Sequence, residues 1–72
     1  MSKFQAGDVL KYKGRSGFEH HRFEVLEVHE TDEEYLIRDV TPESENIRTG
    51  EVALPDMWFD QGIMDRAYEV VA

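Results

Sequence analysis

A chain of 72 residues without cysteine has room for one domain near the lower size limit for an unaided apolar core, and it excludes a disulfide framework and any thiolate metal site. Sixteen Asp and Glu against eight Lys and Arg give a net charge of −8, which bears on partners and solubility and not on fold. The start MSKFQAGDVL lacks the apolar stretch of a secretory signal, and no run approaches the roughly 18 apolar residues of a membrane span, so a soluble, cytoplasmic protein is expected.

Forty per cent apolar residues, eight of the 72 being aromatic, are too many for a disordered acidic chain. In chain order, Val9, Leu10 and Tyr12 form a strand-like run between Gly7-Asp8 and Gly14, and Ser16-Gly17 marks a turn. RFEVLEVHE follows, rich in strand formers, but its alternation is broken: Phe23 and Val25 share one face while Leu26 and Val28 share the other. Either that strand is buried on both sides or a bulge shifts its phase. ETDEE makes a polar turn and EYLIRDV returns as the second strand of a hairpin over residues 22–40. TPESENIRTG, with Pro42, Ser44, Asn46 and Gly50, reads as a loop; EVALP reads as a short strand ended by Pro55. In PDMWFDQG, Asp56 is placed to cap a single helical turn that Gly62 stops, and RAYEVVA closes the chain as a strand.

The sum is a single mainly β domain over residues 1–72, with five short antiparallel strands and one helical turn before the last of them. FQAGDVLKYKG and the succession of FEVLEV and EYLIRDV resemble the small SH3-like barrels common in bacteria and bacteriophages, and that resemblance implies a closed five-stranded barrel.

Residues for catalysis are few. Of His20, His21 and His29, the first two are adjacent, and neighbours on a strand point to opposite faces, so they are not expected to share a centre. His21 and His29 could hold a metal with a carboxylate only if the fold joins them. Ser2, Ser16 and Ser44 lie near no histidine motif, and nothing matches a nucleophile elbow or a phosphate loop. No enzyme, metal or cofactor is expected. Met57, Trp58, Phe59, Ile63 and Met64 form an apolar cluster suited to plugging one end of a barrel, or, in the case of Trp58, to anchoring a partner. Lys11, Lys13, Arg15 and Arg22 form a basic patch, but the whole-molecule charge opposes nucleic-acid binding; these cations fit better as guards of an edge strand.

The charge is segregated. Residues 1–22 hold five bases and two acids, whereas residues 23–72 hold three bases and fourteen acids. HETDEEYLIRDVTPESE alone carries seven carboxylates against Arg38. Solubility needs a net charge of only about 2–8 with signs mixed, and segregation adds self-repulsion. Side chains at i and i+2 on a strand lie about 6.8 Å apart, and duplex DNA carries a phosphate about every 3.4 Å of axis on each strand. Carboxylates on a hairpin and its turns can therefore approach the charge density of a nucleic-acid backbone. The expected array is Glu30, Asp32, Glu33, Glu34, Glu43, Glu45 and Glu51, with Asp39 less central because it can face a neighbouring strand, and with Trp58 as an apolar anchor.

In size, acidity and lack of cysteine the chain also resembles the early proteins with which bacteriophages disable host machinery, among them DNA mimics that occupy HU-type nucleoid proteins. The resemblance implies binding to a basic, HU-type DNA-binding protein in the host cytoplasm; the net charge opposes direct binding of nucleic acid, and the small core fits a monomer or a homodimer. The alternative is a structural or adaptor barrel, such as a phage assembly component, whose acidity only solubilises it.

Overall fold

The computed structural model describes residues 2–14 and 17–71; Arg15 of the basic patch, Ser16 of the expected turn and the terminal Ala72 lie outside them. The elements in chain order are β1 (Val9–Tyr12), β2 (Phe23–His29), β3 (Glu34–Asp39), α1 (Glu43–Thr49), β4 (Met57–Asp60), α2 (Gln61–Ala67) and β5 (Tyr68–Val70). All five strands join one antiparallel sheet in the order β4-β3-β2-β1-β5. The sheet is not closed: β4 and β5 are its two edges, so the expected barrel closure is not seen. β1 is an interior strand, which corrects the reading of Lys11 and Lys13 as guards of an edge.

The expected hairpin is β2–β3, in register from Phe23 opposite Asp39 to His29 opposite Glu34, with a shift between Val25 and Glu27. That bulge settles the broken alternation. Leu26 is the extra residue, so Val25 faces Ile37 and Val28, one phase later, faces Tyr35 on the same inner side. Phe4, Leu10, Phe23, Val25, Tyr35, Ile37 and Met64 make the core, with Val28, Met57, Phe59 and Tyr68 packed on it. Beside the core an apolar cleft of about 350 Å³ is lined by Tyr12, Phe18, Phe23, Leu54, Met57, Phe59 and Tyr68, among others.

Three expectations after residue 40 are corrected. Residues 43–49 are helix and not loop. Pro42 stands at the helix entry, where its missing N–H is harmless, and Gly50 closes the helix in the left-handed conformation (φ 78°), its N–H donating to the Asn46 carbonyl. No residue of α1 is buried, so no apolar stripe announces it. Val52–Leu54, expected as a strand, is irregular and exposed, because the free edge of β3 is taken by β4. Met57–Asp60, expected as a helical turn, is that edge strand, and the cap comes four residues later than expected. The Asp60 carboxylate, not that of Asp56, accepts the Ile63 N–H (2.9 Å) and starts α2. That helix extends through Arg66 and Ala67, residues assigned in the sequence to the last strand. Among the described residues, no helix is long and apolar enough to cross a membrane.

Candidate protein-binding surface

Period-two alternation gives the sheet two faces. The inner one carries the core; the outer one is exposed. On β2 the outer positions are Glu24, opposite Arg38, and Glu27, opposite Leu36; on β3 and β4 they are Glu34 opposite Asp60 and Leu36 opposite Trp58. Two like charges directly across from each other, Glu34 and Asp60, destabilise a sheet, and here they are tolerated at an edge. Trp58 is 45% exposed and packs edge-on against His29 (5.8 Å). It is not part of the plug: Met57 and Phe59 turn inward, and of the expected cluster Ile63 is also largely exposed.

The hairpin tip extends this face. Glu30, Asp32 and Glu33 are exposed in the β2–β3 turn. The turn is braced: Gln61, itself buried, donates its backbone N–H to the Glu33 carbonyl (2.8 Å) and its side-chain amide to the carbonyls of His29 and Glu34. The Asp32 N–H donates to His29 Nδ1. Glu33 adopts a left-handed backbone (φ 55°), a conformation that costs a residue with a Cβ about 1–2 kcal/mol. A hydrogen bond from Ser2 lowers the pKa of Glu30, which keeps that carboxylate charged to lower pH.

Glu24, Glu27, Glu34 and Asp60 thus lie on the outer face of β2–β3–β4, and Glu30, Asp32 and Glu33 at its tip, with Glu30 turned towards Ser2 and Asp32 towards His29. Arg38, the cation among them, is held by Asp56 through two hydrogen bonds (3.2 and 3.0 Å), which raises the guanidinium pKa and lowers that of the carboxylate. Four of these seven, Glu30, Asp32, Glu33 and Glu34, belong to the array expected from sequence. Glu24, Glu27 and Asp60 were missed; the signal for them was strand phase, readable only with the bulge and the β3–β4 pairing known.

The other four expected residues lie elsewhere. Asp39 faces inward: its two carboxylate oxygens accept the backbone N–H groups of Thr41 and Leu54 (both 3.0 Å). Partial burial raises its pKa, but the hydrogen bonds from Thr41 and Leu54 outweigh that and the net shift is downward. Glu43 and Glu45 sit on α1, beyond the opposite end of β3, about 17 Å along the hairpin from the tip by strand rise, and Glu45 pairs with Arg48 (2.7 Å). Glu51 follows α1 and accepts from two imidazoles, His20 Nε2 at 3.1 Å and His21 Nε2 at 3.0 Å. These contacts lower its pKa, His21 having the larger effect.

The convergence of His20 and His21 on Glu51 corrects the expectation that adjacent histidines diverge. They precede β2, in a turn and not on a strand, so strand alternation does not apply. His29, at the other end of β2, is not near them in the chain of contacts and instead touches Asp32 and Trp58. Of the basic patch, Lys11 pairs in register with Glu69, and the Arg22 guanidinium bonds to the carbonyls of Glu19 and His21.

Comparison of the chain with protein families, with curated proteins and with solved structures returns no match.

Proposed function

We propose that the chain is a non-enzymatic binding module that applies its acidic outer face to the DNA-binding surface of a basic protein, of the HU type or similar, and so excludes DNA from it. One observation carries this reading: seven carboxylates lie on one sheet face and its braced tip, around a half-exposed Trp58, with Arg38 already neutralised by Asp56. Fixed carboxylates of this kind steer a cationic partner into fast encounter, and the resulting complex weakens with salt. Trp58 and Leu36 supply the apolar centre that a charged rim needs for a lasting contact. Asp39 faces inward, and Glu43, Glu45 and Glu51 lie on or after α1, so these four leave the array by position; within it, Glu30, Asp32 and Asp60 keep internal contacts with Ser2, His29 and the Ile63 N–H.

We infer, further, that the fold is an opened relative of the SH3-like layout. The support is topological: β1 to β4 form a meander, and β5, after a short helix, pairs with β1. A second reading, an adaptor, has its own observation. Ile47, on α1, and Val52, shortly after it, are exposed by 75% and 86% and line one groove, an apolar pair away from the acidic face.

Titrating the protein into a preformed complex of an HU-type protein with duplex DNA at low salt tests the proposal. DNA is released, and salt suppresses the release. Failure to displace DNA from any of several basic DNA-binding proteins defeats the mimic reading, and binding to a partner that is lost in I47S/V52S but kept in E33Q/E34Q establishes the adaptor.

A further inference from the structure

The loop between β1 and β2 and the segment after α1 meet at His20, His21 and Glu51, which are thirty residues apart in sequence. We propose that these three side chains form a zinc(II) site that ties the two segments together. Zinc binds imidazole nitrogen at about 2.0–2.1 Å and carboxylate oxygen at about 2.0–2.2 Å, so the edges of its ligand tetrahedron measure about 3.3–3.5 Å. Here the Nε2 atoms stand 3.1, 3.0 and 3.3 Å from the Glu51 oxygens, and the ligand atoms of all three residues fall within 4.8 Å of one another. A separation of a few tenths of an ångström makes room for the ion on three of its four tetrahedral positions.

The two rings are held before any ion arrives. His21 packs against Phe18 (5.3 Å) and Phe23 (6.2 Å), and His20 stands edge-on to His21 (4.4 Å). Their side chains are only 11% and 20% exposed, against 40% for Glu51. Arg22, next in the chain, is fixed by its N–H to Thr41 Oγ1 (3.0 Å), and the Glu51 N–H donates to Thr49 Oγ1. Without metal, each Nε2–H donates to the carboxylate; with metal, the other tautomer presents the Nε2 lone pair to the ion. The same three side chains serve both states, the carboxylate moving by a few tenths of an ångström to admit the ion.

Donor chemistry narrows the ion. Two imidazoles with one carboxylate suit zinc and its first-row neighbours, of which zinc accepts a tetrahedral site without redox chemistry, whereas magnesium and calcium take oxygen shells. Asp39, whose carboxylate also feels the charge of His21, has both oxygens committed to backbone N–H groups, so the fourth position is left to water or to a partner's side chain. The benefit is structural. A chain this short and without cysteine lacks other staples, and an ion bound only by the folded state stabilises it by mass action.

Zinc chloride titrated calorimetrically into the metal-stripped full chain at pH 7 yields one site per chain and a rise in Tm. E51Q keeps an oxygen that accepts the imidazole N–H groups but loses the anionic ligand; it and H20A each weaken zinc binding at least tenfold and abolish the Tm rise, with circular dichroism unchanged. H21A follows the same pattern if it folds, although its ring packs between two phenylalanines. H29A binds zinc as the unmodified chain does, and magnesium at the same concentration gives no saturable heat. The proposal is overturned by the absence of a saturable zinc site, by zinc affinity unchanged in E51Q and H20A, by loss of binding in H29A, or by equal binding of magnesium, which would place the ion on the acidic face.

Discussion

Tyr35→Phe removes one oxygen from a buried side chain whose hydroxyl has three hydrogen-bond partners. The Tyr35 ring is fully buried. Its hydroxyl donates to Asp65 Oδ1 (2.6 Å) and accepts the backbone N–H groups of Lys3 (3.0 Å) and Phe4 (3.1 Å). It therefore fastens the amino-terminal segment, β3 and α2 to one another, and α2 begins with the Gln61 that braces the acidic tip. A hydrogen bond to a charged group contributes about 1.5–3 kcal/mol, and an orphaned buried N–H costs about 1–3 kcal/mol, so the substitution lowers stability by about 3–4 kcal/mol. A domain of this length has about 4–11 kcal/mol in total, and each kcal/mol is worth about 4–8 °C, so Tm falls by at least about 12 °C.

The same hydroxyl gives a pH signature. Burial first, and the Asp65 carboxylate second, push the Tyr35 pKa up to about 12, above its unfolded value of about 10. A group raised in the folded state lends stability that is complete below the unfolded pKa and is lost as pH climbs through the folded one. Two units correspond to about 2–3 kcal/mol, lost between about pH 10 and 12. Thermal denaturation by circular dichroism, repeated across that range, reads both effects: the variant starts lower and declines less steeply, although Tyr68, whose pKa burial also raises, keeps some slope. A Tm within about 4 °C of the unmodified chain at pH 7, with the alkaline slope intact, refutes the role given to the hydroxyl.

Glu33→Gly relieves the left-handed backbone at the hairpin tip and raises stability by about 0.5–1 kcal/mol, net of the flexibility glycine adds to the unfolded chain; Tm by scanning calorimetry rises a few degrees, while affinity for a basic partner declines. Asp39→Asn lowers stability at pH 7 by about 1–2 kcal/mol, because an amide presents one acceptor oxygen where two N–H groups need them. As the Asp39 pKa is lowered on folding, its contribution is present above the unfolded value of about 3.9 and fades as pH falls through the folded one. The variant therefore loses that component of the acid-side decline in urea denaturation.

Legibility in the sequence tracked how far each signal depends on distant partners. The β2–β3 hairpin was readable because Val25 and Val28 pair with Ile37 and Tyr35 across a short turn, and even the bulge left its mark in the phase break between Val25 and Val28. α1 carried its own boundary signs, Pro42 before and Gly50 after, but buries nothing; with only Ile47 apolar among its seven residues it shows no stripe. Met57-Trp58-Phe59 is too short a run for period to separate strand from turn, and what makes it a strand is the unpaired edge of β3. Position was legible where it is local: Glu30, Asp32, Glu33 and Glu34 sit at or beside the hairpin tip, as their place in the turn implies. It was not legible at Glu43, Glu45 and Glu51, where charge density in the sequence stood in for position in space and the chain places them on or after α1; Asp39, read as able to face a neighbouring strand, turns its carboxylate inward.

The central claim is that position on one face, and not total charge, makes the surface a ligand for a basic protein. Two triple variants that remove equal charge separate these: E27Q/E33Q/E34Q on the outer face and tip, and E19Q/E43Q/E45Q away from it. Affinity for an HU-type protein is measured for both by fluorescence anisotropy at low salt. With exposed ion pairs worth about 0.2–1 kcal/mol each, the first variant loses about tenfold and the second stays within about twofold. Equal losses in the two variants, or the larger loss in the second, contradict the account.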